Sequence, residues 1–228
     1  MLAQLAAIML SLGAGRADTS LVPGLPLVES RVSGPRRTLV VLLSADGNWA
    51  GFVKGLTRKF NQAGMSVIGL KSRAYLTDAP RKTPAIVARD FERLLAAYVP
   101  AWKADTILIV GYSRGADLAP FMLARLPREW LARISYLALL SPSQFAGFEF
   151  HFTDLISQTR RPGDLPLSPE VERLRGLPML CVYGSEDADA LCPVAPPGLM
   201  SVVARPQGHR LEDPEEIGDL ILRAFRHQ

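Results

Sequence analysis

The sequence predicts an α/β fold: a mostly parallel sheet with helices on both faces. Two patterns carry this prediction. Short runs rich in Val, Leu and Ile recur at 38–44, 65–70, 105–111, 134–142, 177–184 and 199–206. They are continuously apolar instead of alternating, as strands buried on both faces must be. Between them lie longer stretches with apolar residues at helical spacing, the rhythm of strand–helix–strand units.

Taken in order, "TLVVLLS" (38–44) is the first strand, and it runs into "ADGNW". Residues 49–64 set Phe52, Leu56 and Phe60 on one helical face, with Gly64 as the stop. "MSVIGL" (65–70) is the second strand. The helix at 83–102 opens with Thr83 as N-cap and Pro84 at the first helical position, and carries a stripe of Ile86, Phe91, Leu94, Leu95 and Tyr98. "DTILIVG" (105–111) is a strand and 115–127 a helix. Strands at 134–142, 177–184 and 199–206 follow, and a helix at 213–225 closes the chain. Leu27–Val32 adds a candidate edge strand. Residues 143–176 break the rhythm with mixed aromatic and polar content, and read as a crossover covering the C-terminal edge of the sheet like a small lid.

The 228 residues suit one domain, expected over 18–228. The first 17 residues hold an apolar stretch from Leu5 to Leu12, then small residues up to Ala17. They read as a secretory signal peptide, although without a basic beginning, and imply an exported protein; the alternative is a disordered or helical tail. No apolar run approaches the roughly 20 residues that span a bilayer. The only cysteines, Cys181 and Cys192, suggest a disulfide in an exported chain; the alternative is one core thiol and one loop thiol. The net charge of +4 is dispersed over short pairs such as Arg36-Arg37, Arg81-Lys82 and Arg160-Arg161, and aromatics are only 7%. That pattern argues against nucleic acid and leaves two readings, solvated basic faces for any given pair, or an anionic lipid surface or head group as a partner. There is no P-loop, no G-x-G-x-x-G after a strand, no CxxC and no His/Cys cluster, so neither a cofactor nor a metal is predicted.

Reactive groups of an open parallel sheet gather at the C-terminal ends of its strands. Gly111-Tyr112-Ser113-Arg114-Gly115 is a G-x-S-x-G run between an apolar strand and a helix. Small residues two positions either side allow the serine a strained, sharp turn, and the helix start aims N–H groups at developing negative charge. A serine needs a base. Of the histidines, His227 sits at the frayed end, His151 lies in the excursion, and His209 follows the last strand. The order Ser…Asp…His is that of an α/β-hydrolase, so His209 is the expected base. The acid follows the fifth strand: Asp189 is favoured and Asp187 is second. The oxyanion hole is expected from the Arg114 amide and one at Ala45 or Asp46. Asp46 either binds a substrate cation or serves as the turn-former before Gly47.

The segments "LLSADGNW", "GYSRGADLAPFMLARLP", "FEFHF" and "CVYGSEDADALCP", followed by "GH", resemble in order the bacterial virulence protein family of AcvB/VirJ type, over roughly residues 38–225. The resemblance implies a periplasmic α/β-hydrolase linked to type IV secretion and to hydrolysis of lysyl-phosphatidylglycerol. It implies Ser113 as nucleophile, His209 as base, Asp189 as acid, and a Cys181–Cys192 bridge. For such a substrate, Asp46 or Glu149 would pair the ammonium and Arg114 or Arg210 the phosphate. Arg114 stands where the family tends to have an aromatic residue, and Arg210 where it often has a second histidine. The alternative expectation is a non-enzymatic adaptor of a secretion apparatus on the same scaffold.

Overall fold

The structure is a computed structural model, and it describes residues 20–33, 37–47, 49–77, 81–151 and 160–227. The expected signal peptide, residues 1–17, lies outside them. The strands are β1 (Leu27–Ser30), β2 (Thr38–Leu43), β3 (Ser66–Leu70), β4 (Thr106–Tyr112), β5 (Ile134–Leu140), β6 (Phe145–Ala146), β7 (Leu165–Pro166), β8 (Met179–Gly184) and β9 (Ser201–Arg205). The helices are α1 (Gly51–Gln62), α2 (Ser72–Thr77), α3 (Pro84–Ala101), α4 (Arg114–Leu123), α5 (Arg128–Leu131), α6 (Ser168–Glu172) and α7 (Pro214–Arg226).

Seven strands form one sheet in the order β1-β3-β2-β4-β5-β8-β9. Its pairings are parallel except for β1, which runs antiparallel to β3 at one edge. Alternate residues of the central strands feed two cores. Leu39, Val41, Leu43, Ile107 and Ile109 pack on one face with residues of α3 and α4. Val40, Leu42, Leu108 and Val110 pack on the other with residues of α1 and α7. With a core on each face there is no polar side for these strands to show, which is why they read as unbroken apolar runs. Truncating a leucine such as Leu108, fully buried, to alanine costs about 2–5 kcal/mol at sites of this kind.

Local signals behave as their chemistry dictates. Thr83 caps α3, its hydroxyl accepting the Ile86 N–H at 3.3 Å. Asp213 caps α7 by accepting the Glu215 and Glu216 N–H groups at 3.1 and 3.0 Å. Three details differ from the sequence expectation. The helix expected at 115–127 ends at Leu123, where the chain turns as the Leu126 N–H donates to the Leu123 carbonyl at 3.1 Å. The one-turn helices α2 and α5 are too short to show periodicity. The edge strand closes at Ser30, short of Val32.

The 143–176 excursion leaves the sheet beyond β5 and returns as β8. Its neck is the antiparallel pair β6–β7, Phe145 opposite Pro166 and Ala146 opposite Leu165. Near its far end, Glu170 of α6 accepts from the Arg125 guanidinium at 2.6 and 2.9 Å and from Arg173 at 2.7 Å. Burial opposes the Glu170 charge, but the two guanidinium partners outweigh it and hold its pKa below the usual carboxylate range.

Candidate active site

The strand β4 delivers its last residue, Tyr112, straight into the N-terminus of α4. Ser113 stands between them with φ 52° and ψ −117°. This is a strained backbone for a residue with a Cβ. The flanking glycines make the turn possible. A Cβ on Gly111 would lie 2.6 Å from the Ala116 Cα and the Gly115 carbonyl oxygen, and one on Gly115 would collide with the Leu43 carbonyl of β2. The Ser113 amide is fixed by the Leu140 carbonyl at 2.8 Å. The residue is only 4% exposed, so a reactant reaches it through the cavity described below.

Ser113 Oγ lies 2.8 Å from His209 Nε2. His209 Nδ1 lies 2.7 Å from Asp187 Oδ2. The histidine ring is thus held between hydroxyl and carboxylate, with Nδ1 as the donor to Asp187 and Nε2 the acceptor of the serine proton. Burial opposes charging of His209, but the hydrogen bond and charge of Asp187, helped by Asp117, outweigh it and raise its pKa above 6.5. Burial likewise opposes the Asp187 charge, and the same contact with His209 overrides it and holds the carboxyl below its ordinary value.

The carboxylate on His209 is therefore that of Asp187, and the preference for Asp189 is corrected. The reason is backbone geometry. Asp187 N–H closes a tight turn on the Gly184 carbonyl at 3.0 Å. Gly184 has no Cβ to collide with the Gln207 and Gly208 carbonyls, so the His209 loop settles directly over that turn. Two residues later the chain has already turned away. The Asp189 carbonyl accepts the Gln144 N–H at 2.9 Å, and its own N–H donates to Asp187 Oδ1 at 3.2 Å. Asp189 thus meets Asp187 through its backbone N–H, and the carboxylate hydrogen-bonded to His209 is that of Asp187. Cys181 of β8 and Cys192 are joined in a disulfide with Cα atoms 5.7 Å apart, which closes the loop that carries Asp187.

These groups open onto a cavity of about 900 Å³. Its lining includes Ala45, Asp46, Ser113, Arg114, Asp117, Asp187, Asp189, His209 and Arg210, with Phe145, Arg160, Arg161 and Asp164 contributed by the excursion. The amides of Arg114, Gly115 and Ala116 lie in the first turn of α4, and the Ala45–Asp46 loop shares the same cavity wall, which is where the sequence reading expects the oxyanion hole.

The proposed ligand-pairing side chains are rearranged. Asp46 and Arg114 face one another: Arg114 Nε is 3.3 and 3.5 Å from the two Asp46 carboxylate oxygens, and Nη2 is 3.3 Å from Oδ2. Both side chains are buried. Glu149 pairs with Arg81 at 3.0 Å and with His151 at 3.5 Å and is not among the residues lining the cavity. Its expected role on a substrate ammonium is therefore not carried by the structure. Arg210 is exposed at the cavity wall. Asp117, not singled out from the sequence, is 1% exposed and ties α4 to the excursion by accepting the Ser143 N–H at 2.7 Å. Its position four residues after the serine was the available signal. Among the described residues no cluster of His, Cys, Asp or Glu is arranged to hold a metal, and no helix is long and apolar enough to cross a membrane.

A parallel sheet carrying a serine at a strand–helix elbow, with a histidine and an acid on later strand loops, defines the α/β-hydrolase fold. Solved structures agree. TT1662 from Thermus thermophilus superposes with a TM-score of 0.60 at 18% identity, covering 90% of this chain and 95% of that one. Est1E from Butyrivibrio proteoclasticus, bound to ferulic acid, gives 0.60 at 13% identity, with 89% and 93% covered. A proline iminopeptidase from Mycobacterium smegmatis gives 0.61 at 14%, with 88% and 94% covered. No curated protein matches in sequence. The sequence model of the bacterial virulence protein family VirJ matches residues 37–228, and the chain belongs to that family.

Proposed function

We propose that this chain is an exported serine hydrolase that cleaves the ester bond of an aminoacylated anionic phospholipid, lysyl-phosphatidylglycerol being the model substrate. The observation that carries the chemistry is the unbroken relay from Ser113 through His209 to Asp187, with separations of 2.8 and 2.7 Å. Ser113 Oγ attacks the ester carbonyl and passes its proton to His209 Nε2. Asp187 holds the ring and stabilises the imidazolium. The amides at Arg114 and at Ala45 or Asp46 take the oxyanion. On collapse, His209 gives the proton to the departing glycerol oxygen. Water, deprotonated by the same histidine, then releases the amino acid from Ser113.

The substrate class rests on family resemblance and on the charge layout of the cavity. Arg210, Arg160 and Arg161 suit the lipid phosphate. Asp164 and Asp189, in the same lining, suit the ammonium groups of a lysyl moiety. The basic groups beside the opening also suit approach to an anionic membrane surface. The disulfide suits an oxidising compartment and hence the periplasm.

A fluorophosphonate probe tests the chemistry. Wild type should be labelled, and Ser113→Ala should not. A folded wild type that takes no label would favour an adaptor on a hydrolase scaffold, which could act within a type IV secretion apparatus. Release of lysine from lysyl-phosphatidylglycerol vesicles tests the substrate, and labelling without such release would leave an esterase of other specificity.

A further inference from the structure

Arg114 and Asp46 occupy two special places. Each is a residue whose backbone amide is assigned above to the oxyanion hole, one at the start of α4 and one in the loop after β2. Their side chains meet, through three nitrogen–oxygen approaches of 3.3–3.5 Å, with both side chains about nine-tenths buried. We propose that this ion pair is a clasp that sets the spacing of the two halves of the oxyanion hole, and that it positions the amides without binding substrate. The proposal rests on Ser113 being the nucleophile.

The loop after β2 is held at its start and needs a second hold. Ser44 donates its N–H to the Leu70 carbonyl at 3.0 Å, and its hydroxyl accepts the Ser72 N–H at 3.1 Å. Beyond Ser44 the chain turns through Ala45 and Asp46 towards Gly47, whose backbone has little stiffness of its own. The Asp46 carboxylate fastens this stretch to α4, and Ala45 lies between the two anchors. The other end of the clasp is rigid, because Gly115 packs against the Leu43 backbone and Ser113 is bound to β5 through Leu140.

Stability does not account for the pair. Two buried charges gain little net free energy over apolar packing of the same size. An ion pair does supply a fixed separation and orientation, which apolar contacts do not. Its place in the active-site wall matches that property.

Positioning and recognition predict different kinetics. If Asp46 bound the substrate ammonium, Asp46→Asn would harm lysyl esters and spare neutral ones, mainly through KM. A clasp acts on the oxyanion whatever the acyl group. The experiment compares wild type, Asp46→Asn, Arg114→Lys and the double variant on p-nitrophenyl butyrate and on a lysine p-nitrophenyl ester. A trifluoromethyl ketone serves as transition-state mimic. The expected result is a kcat loss of about 10–100-fold for each single variant on both esters, since displacing an oxyanion donor costs up to that order. KM should stay within about threefold, ketone affinity should fall in parallel with kcat, and the double variant should be no worse than the poorer single one. Unchanged kcat, a loss confined to the lysyl ester, or additive losses would each overturn the clasp. Arg114→Lys keeps the charge and serves if Asp46→Asn fails to fold. A wild type that neither takes up fluorophosphonate nor hydrolyses either ester removes the parent reading and the clasp together, whereas active wild type with fully active variants removes the clasp alone.

Discussion

Asp117 is where burial, charge and pH meet most simply. Its carboxyl is 1% exposed. Burial pushes its pKa from 3.8 up to about 6, against the pull of Arg114, the Ser143 N–H and His209. A raised carboxyl pKa means that the folded chain holds the proton more tightly than the unfolded one. The associated stability is therefore fully present below about pH 3.8 and is lost as pH rises through about 6. The gap of about two pH units, at about 1.4 kcal/mol each, amounts to a penalty of about 3 kcal/mol near neutrality and about a third of that at pH 4.5. Asp117→Asn removes the ionisation and keeps an oxygen to accept the Ser143 N–H. Accommodating the amide N–H₂ in a buried site costs about 1 kcal/mol. The variant should accordingly match wild type at pH 4.5 and exceed it by about 2 kcal/mol at pH 7.5. Urea unfolding at pH 4.5, 6 and 7.5, followed by circular dichroism, measures this difference; titrating groups that do not interact with Asp117 cancel between the two proteins, and a His209→Gln background removes the histidine that does. A difference independent of pH, or a variant that becomes relatively less stable as pH rises, would refute the account.

Asp187→Asn should lower kcat by about 10³–10⁴-fold, whereas Asp189→Asn, which keeps the backbone N–H that orients Asp187, should change it by less than about threefold; steady-state kinetics on a neutral ester separates the two. Because Asp187 raises the His209 pKa above 6.5 and the base works only when neutral, the acid limb of kcat/KM should lie above pH 6.5 in wild type and move to lower pH in Asp187→Asn. Replacing both Cys181 and Cys192 by serine should cost about 3 kcal/mol of stability, as expected for a bridge spanning 11 residues, and should slow fluorophosphonate labelling by loosening the Asp187 loop; calorimetry and labelling rates check the two effects.

The sheet was legible because its strands are buried twice over. Residues such as Val40 and Val41 go to opposite cores, so the run has no polar member to blur it. Ser113 and His209 were legible for a different reason. A glycine-flanked serine after an apolar run has few structural uses, and the chain offers few histidines. The acid was not legible, since Asp187 and Asp189 sit in the same loop and differ only in a turn set by Gly184 against Gly208, a contact between segments more than 20 residues apart. The meeting of Arg114 with Asp46, 68 residues away, left no local trace at all. Short helices such as α2 were missed because a single turn has no period to detect.

The neck formed by β6 and β7 ties the two ends of the excursion together. Phe145 and Ala146 pair with Pro166 and Leu165, so the chain leaves the body and re-enters it at nearly one point. On the body side, Asp117 grips Ser143 and the Asp189 carbonyl grips Gln144, fastening that point to the nucleophile helix and the acid loop alike. What lies beyond that pair therefore hangs from a base that the body of the fold fixes. The excursion residues that line the cavity, Arg160, Arg161 and Asp164, can therefore be replaced without touching the hydrogen bonds that join Ser113, His209 and Asp187.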